Sequence, residues 1–119
     1  MLISASDPVG AALHTALDGL ALRQQVTSNN IANVDTPNFT ASQVGFEDSL
    51  RGALQGPSFS PSDAQASTTS TSDPAGADGN NVDLAHETMT AMQTTFSYQL
   101  LTRAVGDRFG MITTAIGGA

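Results

Sequence analysis

A polar segment from Gly56 to Asn81 divides the chain, and it restricts the fold more than any other feature of the sequence. Its 26 residues contain no Leu, Ile, Val, Met or Arg, and Phe59 is its one large apolar side chain. Such a segment buries too little apolar surface to offset the entropy lost on folding. We expect a flexible connection between two more apolar halves; the alternative is a surface that orders on assembly.

The rest of the chain has limited material for a hydrophobic core. The 119 residues suffice for one small domain, and 25 of them are Leu, Ile, Val or Phe, with one Tyr and no Trp. This share is close to the roughly one fifth below which highly charged chains stay disordered. We therefore expect a thin core that needs a partner, and an isolated chain that is poorly folded.

A long N-terminal helix is predicted from Asp7-Pro8, where an acidic N-cap precedes a proline at the first helical position. It ends near Val34, because Asp35-Thr36-Pro37 favours a turn. One face follows the 3.5-residue period of a coiled coil, with Leu13, Leu17, Leu20, Gln24, Thr27, Ile31 and Val34. The polar Gln24 and Thr27 either fix the register against a partner or lie exposed at a poorly packed seam.

The second half predicts a short helix and a longer one. Residues 38–45 favour an extended strand, and Phe46, Leu50 and Leu54 recur at helical spacing. A C-terminal helix of about 34 residues begins at Asp83, a candidate cap, and spans roughly 51 Å. Its candidate packing residues are Met89, Met92, Phe96, Leu100, Leu101, Val105, Phe109, Ile112 and Ile116.

These elements predict a mostly α fold in which long N- and C-terminal helices pack as a coiled-coil-like hairpin. The predicted regions are an N-terminal helix in residues 1–36, a loop-rich and partly disordered connection in residues 37–82, and a C-terminal helix in residues 83–119. A stripe at coiled-coil spacing needs a helical partner. Assembly is therefore the function that this architecture favours.

Charge and residue content exclude several functional classes. The formal net charge is −7, with four Arg and no Lys, so we predict no binding to nucleic acid or to anionic lipid. Zero Cys excludes thiolate metal sites and Cys nucleophiles. A calcium loop around Gly79 leaves its ligand positions empty, and His14 and His86 are more consistent with helix surfaces than with a metal site. We predict no enzyme activity, no metal and no cofactor.

The first ten residues contain neither a basic segment nor a long apolar stretch. We therefore expect no cleaved signal peptide and no membrane anchor at this end. If the chain leaves the cytosol, another export route carries it.

Two motifs, read in order, resemble a known family. The segment Arg23 to Phe39 is similar to the N-terminal signature of bacterial flagellar rod and hook proteins, and within them to the proximal-rod FlgB family. Residues 78–84, then Glu87, and later Ser97-Tyr98-Gln99 resemble that family's Asp-Gly-Asn-x-Val-Asp segment and its Tyr-Gln pair inside the last helix. The matching positions are Asn30, Ile31, Ala32, Asn33, Asp35, Thr36, Pro37, Phe39, Gly79, Asn80, Val82, Asp83, Tyr98 and Gln99.

The resemblance implies a structural subunit of the proximal rod that assembles through its terminal helices into the torque-transmitting drive shaft. It implies export through the flagellar type III apparatus without a cleaved signal, and a place in the basal body, outside the cytoplasmic membrane. The implied partners are other rod proteins, further copies of this chain, the rod-base adaptor, the membrane-embedded ring and the export apparatus.

Two questions stay open at the level of sequence. Asn33 either bonds the backbone near the helix end or bonds a neighbouring subunit, and the same choice applies to Asn29 and Asn30. The alternative functions are a small secreted helical-hairpin protein and a cytosolic helical adaptor.

Overall fold

A computed structural model describes residues 7–117 of the chain. The elements in order are α1 (Pro8–Ala32), β1 (Ser42–Gly45), α2 (Glu47–Leu54), a 3₁₀ turn (Pro61–Ala64), β2 (Ser67–Ser70) and α3 (Leu84–Gly117). The mostly helical fold with long helices at both ends is confirmed. The expectations about a signal or anchor in residues 1–6, and the outer limits of the predicted regions, lie outside the described residues.

The start of α1 is fixed by its cap. The Asp7 carboxylate accepts a hydrogen bond from the Gly10 amide at 3.1 Å, and Pro8 occupies the first turn, as predicted. The helix ends at Ala32, slightly before the predicted Val34, because Asn33 to Asp35 already form a turn.

The long helices α1 and α3 lie against each other and run antiparallel. Arg108, in the second half of α3, bonds Asp7 at the start of α1. At the other end, Thr27 and Glu87 line the same cleft. The resulting molecule is elongated, with extents of 66 × 28 × 18 Å. Coiled-coil-like packing in this helix pair stays a prediction.

The polar connection differs from the expected flexible loop. Strand β2, within the Ser/Thr-rich run, pairs antiparallel with β1 in the register Ser42↔Ser70 to Gly45↔Ser67. All four residues of β2 are exposed, so backbone pairing to β1 holds this strand rather than apolar burial. The expectation of disorder is therefore wrong for the turn and the strand in residues 61–70, whereas the predicted strand near residues 38–45 and the helix α2 are confirmed.

The core is small, and it lies between α1 and the connection. Ala16 and Leu20 of α1 are buried against Val44 and Phe46. A Cβ atom at Gly19 would lie 2.6 Å from the Phe46 ring, so only glycine at this position lets the ring rest directly on the helix backbone. Within residues 7–117, no helix is long and apolar enough to cross a membrane.

Candidate assembly interface

The end of α1 is joined to β1 by the side chain of Asn30, which is 1% exposed. Its amide group donates to the Ser42 carbonyl at 2.7 Å, and its oxygen accepts from the Ser42 amide at 3.0 Å. One side chain thus occupies both hydrogen-bonding groups of a strand residue, as a neighbouring strand would. In this structure, the bonds of Asn30 are made within the chain.

Asn80 and Asn81 join the entry of α3 to the rest of the chain. Asn80 donates to the carbonyls of Asn33 and Thr36 at 2.8 Å each and accepts from the Val82 amide. These bonds hold the turn that follows α1 against the entry of α3, because Asn33 and Thr36 both lie in that turn.

Asn81 completes this connection. Its oxygen accepts from the Ala41 amide at 2.7 Å, and its amide group donates to Thr71 Oγ1 and to the Asp73 carbonyl. We call Asn30, Asn80 and Asn81 together the amide junction. It links α1, the segment before β1, the segment after β2 and the start of α3.

Asn33 bonds the local backbone, as the first of its two predicted roles requires. Its amide group donates to the Asn29 carbonyl at 2.8 Å, and its oxygen accepts from the Thr36 hydroxyl. Asn29 itself is exposed. Nearby, Asn38 and Gly79 both have positive φ angles, of 60° and 79°. A Cβ atom at position 79 would also clash with the Asn38 side chain.

The remaining motif residues lie around this junction in several environments. Ile31, Phe39, Gly79 and Val82 are half-buried, whereas Ala32, Asp35, Thr36 and Pro37 are exposed. The Asp83 carboxylate accepts from the His86 amide at 3.2 Å, which confirms its predicted role as the cap of α3.

Arg23 fixes the turn between β1 and α2 to the middle of α1. Its guanidinium makes two hydrogen bonds of 2.6 Å to the Glu47 carboxylate and donates to the Val44 carbonyl at 2.9 Å. It also lies 4.8 Å from the centroid of the Phe46 ring. The bond from Arg23 lowers the pKa of Glu47 from its ordinary value of 4.5 to about 2.

A second ion pair closes the opposite end of the helix pair. Arg108 of α3 donates to both Asp7 carboxylate oxygens, at 2.9 and 2.8 Å. The Gly10 amide and then Arg108 lower the pKa of Asp7. Asp7 thus caps α1 and joins it to α3. Sequence reasoning assigned it the first role and missed the second.

The predicted stripe of α1 faces the interior only in part. Leu20 and Thr27 are buried, and Leu13, Leu17, Gln24, Ile31 and Val34 are half-buried. Solvent exposure, one of the two predicted alternatives, is wrong for Thr27, which is 3% exposed. The Gln24 side-chain oxygen is buried without a hydrogen-bond partner among the described residues.

The candidate packing residues of α3 divide between two faces of the helix. Leu101, Val105 and Ile112 are half-buried, and Glu87 and Thr94, on the same side, are buried. The opposite face is apolar and exposed. We call it the outer stripe of α3, and it comprises Met89, Met92, Phe96 and Leu100, which are 59, 68, 63 and 50% exposed.

The other α3 candidates are exposed near the end of the helix or beside α1. Phe109 and Ile116 are exposed in the last turns. Tyr98 and Gln99 of the family motif are exposed and line a groove with Gln24 and Gln25 of α1.

The titratable groups do not assemble into a metal site within residues 7–117, where no three His, Asp or Glu side chains come together as ligands. His14 and His86 are both exposed, on different helices. The arrangement of the described residues supports packing and hydrogen bonding.

Several known proteins are similar to this chain in sequence. The family model for flagella basal body rod proteins matches residues 12–40. The flagellar basal body rod protein FlgB of Bacillus subtilis (strain 168) is 30% identical over 117 positions, covering 89% of this chain and 91% of the relative. The FlgB proteins of Borreliella burgdorferi and Borrelia hermsii are 56% and 58% identical over 41 residues, covering 34% of this chain and 30% of each relative. The chain therefore belongs to the FlgB family of flagellar basal body rod proteins.

Proposed function

We propose that this chain forms part of the proximal segment of the flagellar rod, and that the outer stripe of α3 packs against neighbouring rod subunits. The family is one of structural rod proteins rather than enzymes, which sets aside the secreted-hairpin and cytosolic-adaptor alternatives. The observation that carries the proposal is the exposure of Met89, Met92, Phe96 and Leu100 on one face of a long helix.

Exposed apolar side chains in this arrangement favour association. They recur every three or four residues, so they form one continuous surface along about three turns of α3. Removing a half-exposed side chain of this size from water contributes on the order of 1 kcal/mol. Four together supply several kcal/mol for assembly, and a soluble monomer rarely exposes such a patch without a partner.

The shape of the molecule suits a load-bearing role. Two long antiparallel helices make a rod-like body, and their ends are fixed by the Asp7–Arg108 ion pair and by the amide junction. Such bodies, packed side by side, transmit torque along their helices. No bound cofactor takes part in this mechanism.

The individual partners, and the exact location within the basal body, are proposals that rest on the family resemblance. We propose contacts with the rod-base adaptor, the membrane-embedded ring and the export apparatus as well as with other rod proteins. We also propose export without a cleaved signal and a final position outside the cytoplasmic membrane. Residues Leu13, Leu17, Leu20, Ile31, Val34, Val105, Phe109 and Ile112 stay candidates for packing within this assembly.

The decisive experiment replaces Phe96 by Asp in a strain that carries no other copy of the gene. We expect no hook, no filament and no swimming, because a charge in an apolar interface carries a desolvation cost of several kcal/mol. Thr102→Asp is the matched control, since Thr102 is exposed on α3 but lies outside the outer stripe.

Circular dichroism of the purified variants separates loss of assembly from loss of folding. We expect equal helicity in Phe96→Asp and Thr102→Asp. Hooks and swimming in the Phe96→Asp strain would exclude the outer stripe as an interface. Hooks in a strain lacking the gene altogether would exclude the proximal-rod assignment itself.

A further inference from the structure

A cleft of about 570 Å³ lies between α1, β1 and the first half of α3. Its walls include Thr27 from α1, Val44 from β1, Thr90 and Thr94 from α3, and the carboxylate-bearing Glu87. The cleft is open on one side, where Gln93 and Phe96 of α3 form part of its lining. We call it the Glu87 cleft.

Glu87 is an acid with little exposed surface and no partner among residues 7–117. The residue is 6% exposed, and no hydrogen bond or ion pair from residues 7–117 reaches its side chain. Buried carboxylates in proteins are normally paired or hydrogen-bonded, because removing a charge from water is costly. The Glu87 carboxylate lines the open cleft, so a cationic or donor group from outside the subunit can reach it.

The other charged groups around the cleft do not supply that group. Arg23 is engaged by Glu47 through two bonds. Asp73 adds a second carboxylate to the lining, and His86 is exposed at the side. With Arg23 and Glu47 balanced against each other, the cleft carries an excess of negative charge.

One arginine among the described residues also has no charged partner. Arg23, Arg51 and Arg108 are paired with Glu47, Asp48 and Asp7. Arg103 is exposed and has no hydrogen bond or carboxylate partner within residues 7–117. It lies one turn beyond Leu100, in line with the outer stripe of α3.

The positions of Glu87 and Arg103 prevent them from meeting within one chain. They are separated by about 24 Å and about 160° around α3, as their spacing of about 16 residues requires at 1.5 Å and 100° per residue. A contact between them must join two molecules. Because the two residues lie on different faces, the contact is head-to-tail rather than the self-complementary contact of a closed dimer, and it can repeat along an assembly.

We propose that Arg103 of one copy of this chain inserts into the Glu87 cleft of a second copy and pairs with its carboxylate. This inference rests on the proposed function, since it names the occupant of one face of the same assembly. A guanidinium presents several N–H donors in a planar fork, so it can bond Glu87 and the threonine hydroxyls around it. The outer stripe of the first copy is brought beside the cleft by the same contact.

The first test reverses the charge of Arg103. In cells, Arg103→Glu should lower the amount of this chain in purified basal bodies at least tenfold and abolish swimming. Arg51→Glu is the matched control, because Arg51 is an exposed helical arginine paired with an exposed Asp48 on α2. Both purified variants should keep wild-type helicity, since Arg103 makes no bond within the described chain.

The second test leaves Arg103 and Glu87 intact and uses the absence of native cysteine. Asp107→Cys places a thiol one turn from Arg103, and Gln93→Cys places one in the lining of the cleft. Oxidation of cells that produce both single variants should give a disulfide-linked dimer. Cells that produce either variant alone should give at least tenfold less.

The outcomes separate this inference from the proposed function. Normal rod incorporation of Arg103→Glu, or no mixed dimer in assembled basal bodies, would overturn the Arg103–Glu87 contact and leave the rod assignment intact. Equal dimer formation by one variant alone would show a self-complementary contact and would also overturn it. Failure of the rod assignment appears separately, as hooks in the strain that lacks the gene.

Discussion

The amide junction and the outer stripe of α3 reverse the usual distribution of polar and apolar side chains. Asn30, Asn80 and Asn81 are at most 9% exposed, whereas Met92 and Phe96 are 68 and 63% exposed. At the junction every amide side chain finds partners within the chain. Hydrogen bonding within the chain thus joins the parts of the single subunit, and the exposed apolar surface is the part that we propose for contacts between subunits.

Two different consequences follow for mutation. A change at the junction leaves buried backbone groups without partners, so its cost appears in the folding of the isolated chain. If the outer stripe packs against rod subunits as proposed, a change there removes contacts that the isolated chain does not make, and its cost appears in assembly alone. Changes at the junction, at the Phe46 contact on α1 and at the Arg23–Glu47 pair should therefore all be detectable in the isolated chain, with successively smaller effects.

The largest effect is expected from Asn30→Ala. The substitution removes both bonds to Ser42, and leaving these groups unpaired costs about 2–3 kcal/mol. Urea titration followed by circular dichroism should show a lower transition midpoint or a loss of helical signal. Asn29→Ala is the control, because Asn29 is exposed and its backbone carbonyl still accepts the bond from Asn33. Equal midpoints for the two variants would contradict the role of the junction.

The bonds of the amide junction could not be predicted from the sequence, whereas the local elements could. The N-caps, the helices and the first strand follow from local patterns such as Asp7-Pro8 and the spacing of Phe46, Leu50 and Leu54. The burial of Asn30 and Asn81 depends on partners 12 and 40 residues away. No local pattern encodes such pairings, although the frequency of asparagine in both motifs was a signal.

Strand β2 and the division of α3 into two faces could not be predicted either, because both depend on contacts with distant parts of the chain. Ser67–Ser70 has no apolar alternation, and its conformation comes from pairing with β1. On α3, apolar residues at helical spacing predict burial, but the spacing does not say which element buries them. The sequence therefore does not distinguish Leu101 from Phe96. The structure places Leu101 against the core and Phe96 in solvent.

The second prediction compares a packed glycine with an open one. Gly19→Ala forces the Phe46 ring to move from its position 2.6 Å from the new Cβ, and overpacking of this kind costs about 1–3 kcal/mol. Gly106→Ala on α3 meets no atom within 4 Å and should stabilise the helix by about 1 kcal/mol. The thermal midpoints of the two variants should therefore shift in opposite directions. A rise in both would mean that Phe46 does not rest on α1 in solution.

The smallest effect concerns the ion pair that fixes α2 to α1. The Arg23 bond lowers the pKa of Glu47 from 4.5 to about 2, so the ionised form is favoured by folding. Its contribution to stability is complete above about pH 5 and is lost as the pH falls towards 2. Because the Glu47 side chain is 52% exposed, solvent screening reduces this contribution to about 1 kcal/mol or less.

Glu47→Gln tests this contribution directly. At pH 7 the variant should be less stable than the wild type by about 1 kcal/mol or less, and the difference should shrink as the pH is lowered through 4 to 2. Asp48→Asn is the matched control, since the Asp48–Arg51 pair is almost fully exposed, with side-chain exposures of 97 and 67%. Its effect should be smaller at every pH. A Glu47→Gln difference that stays constant from pH 7 to pH 2 would show that Glu47 acts through packing on α1 rather than through its charge.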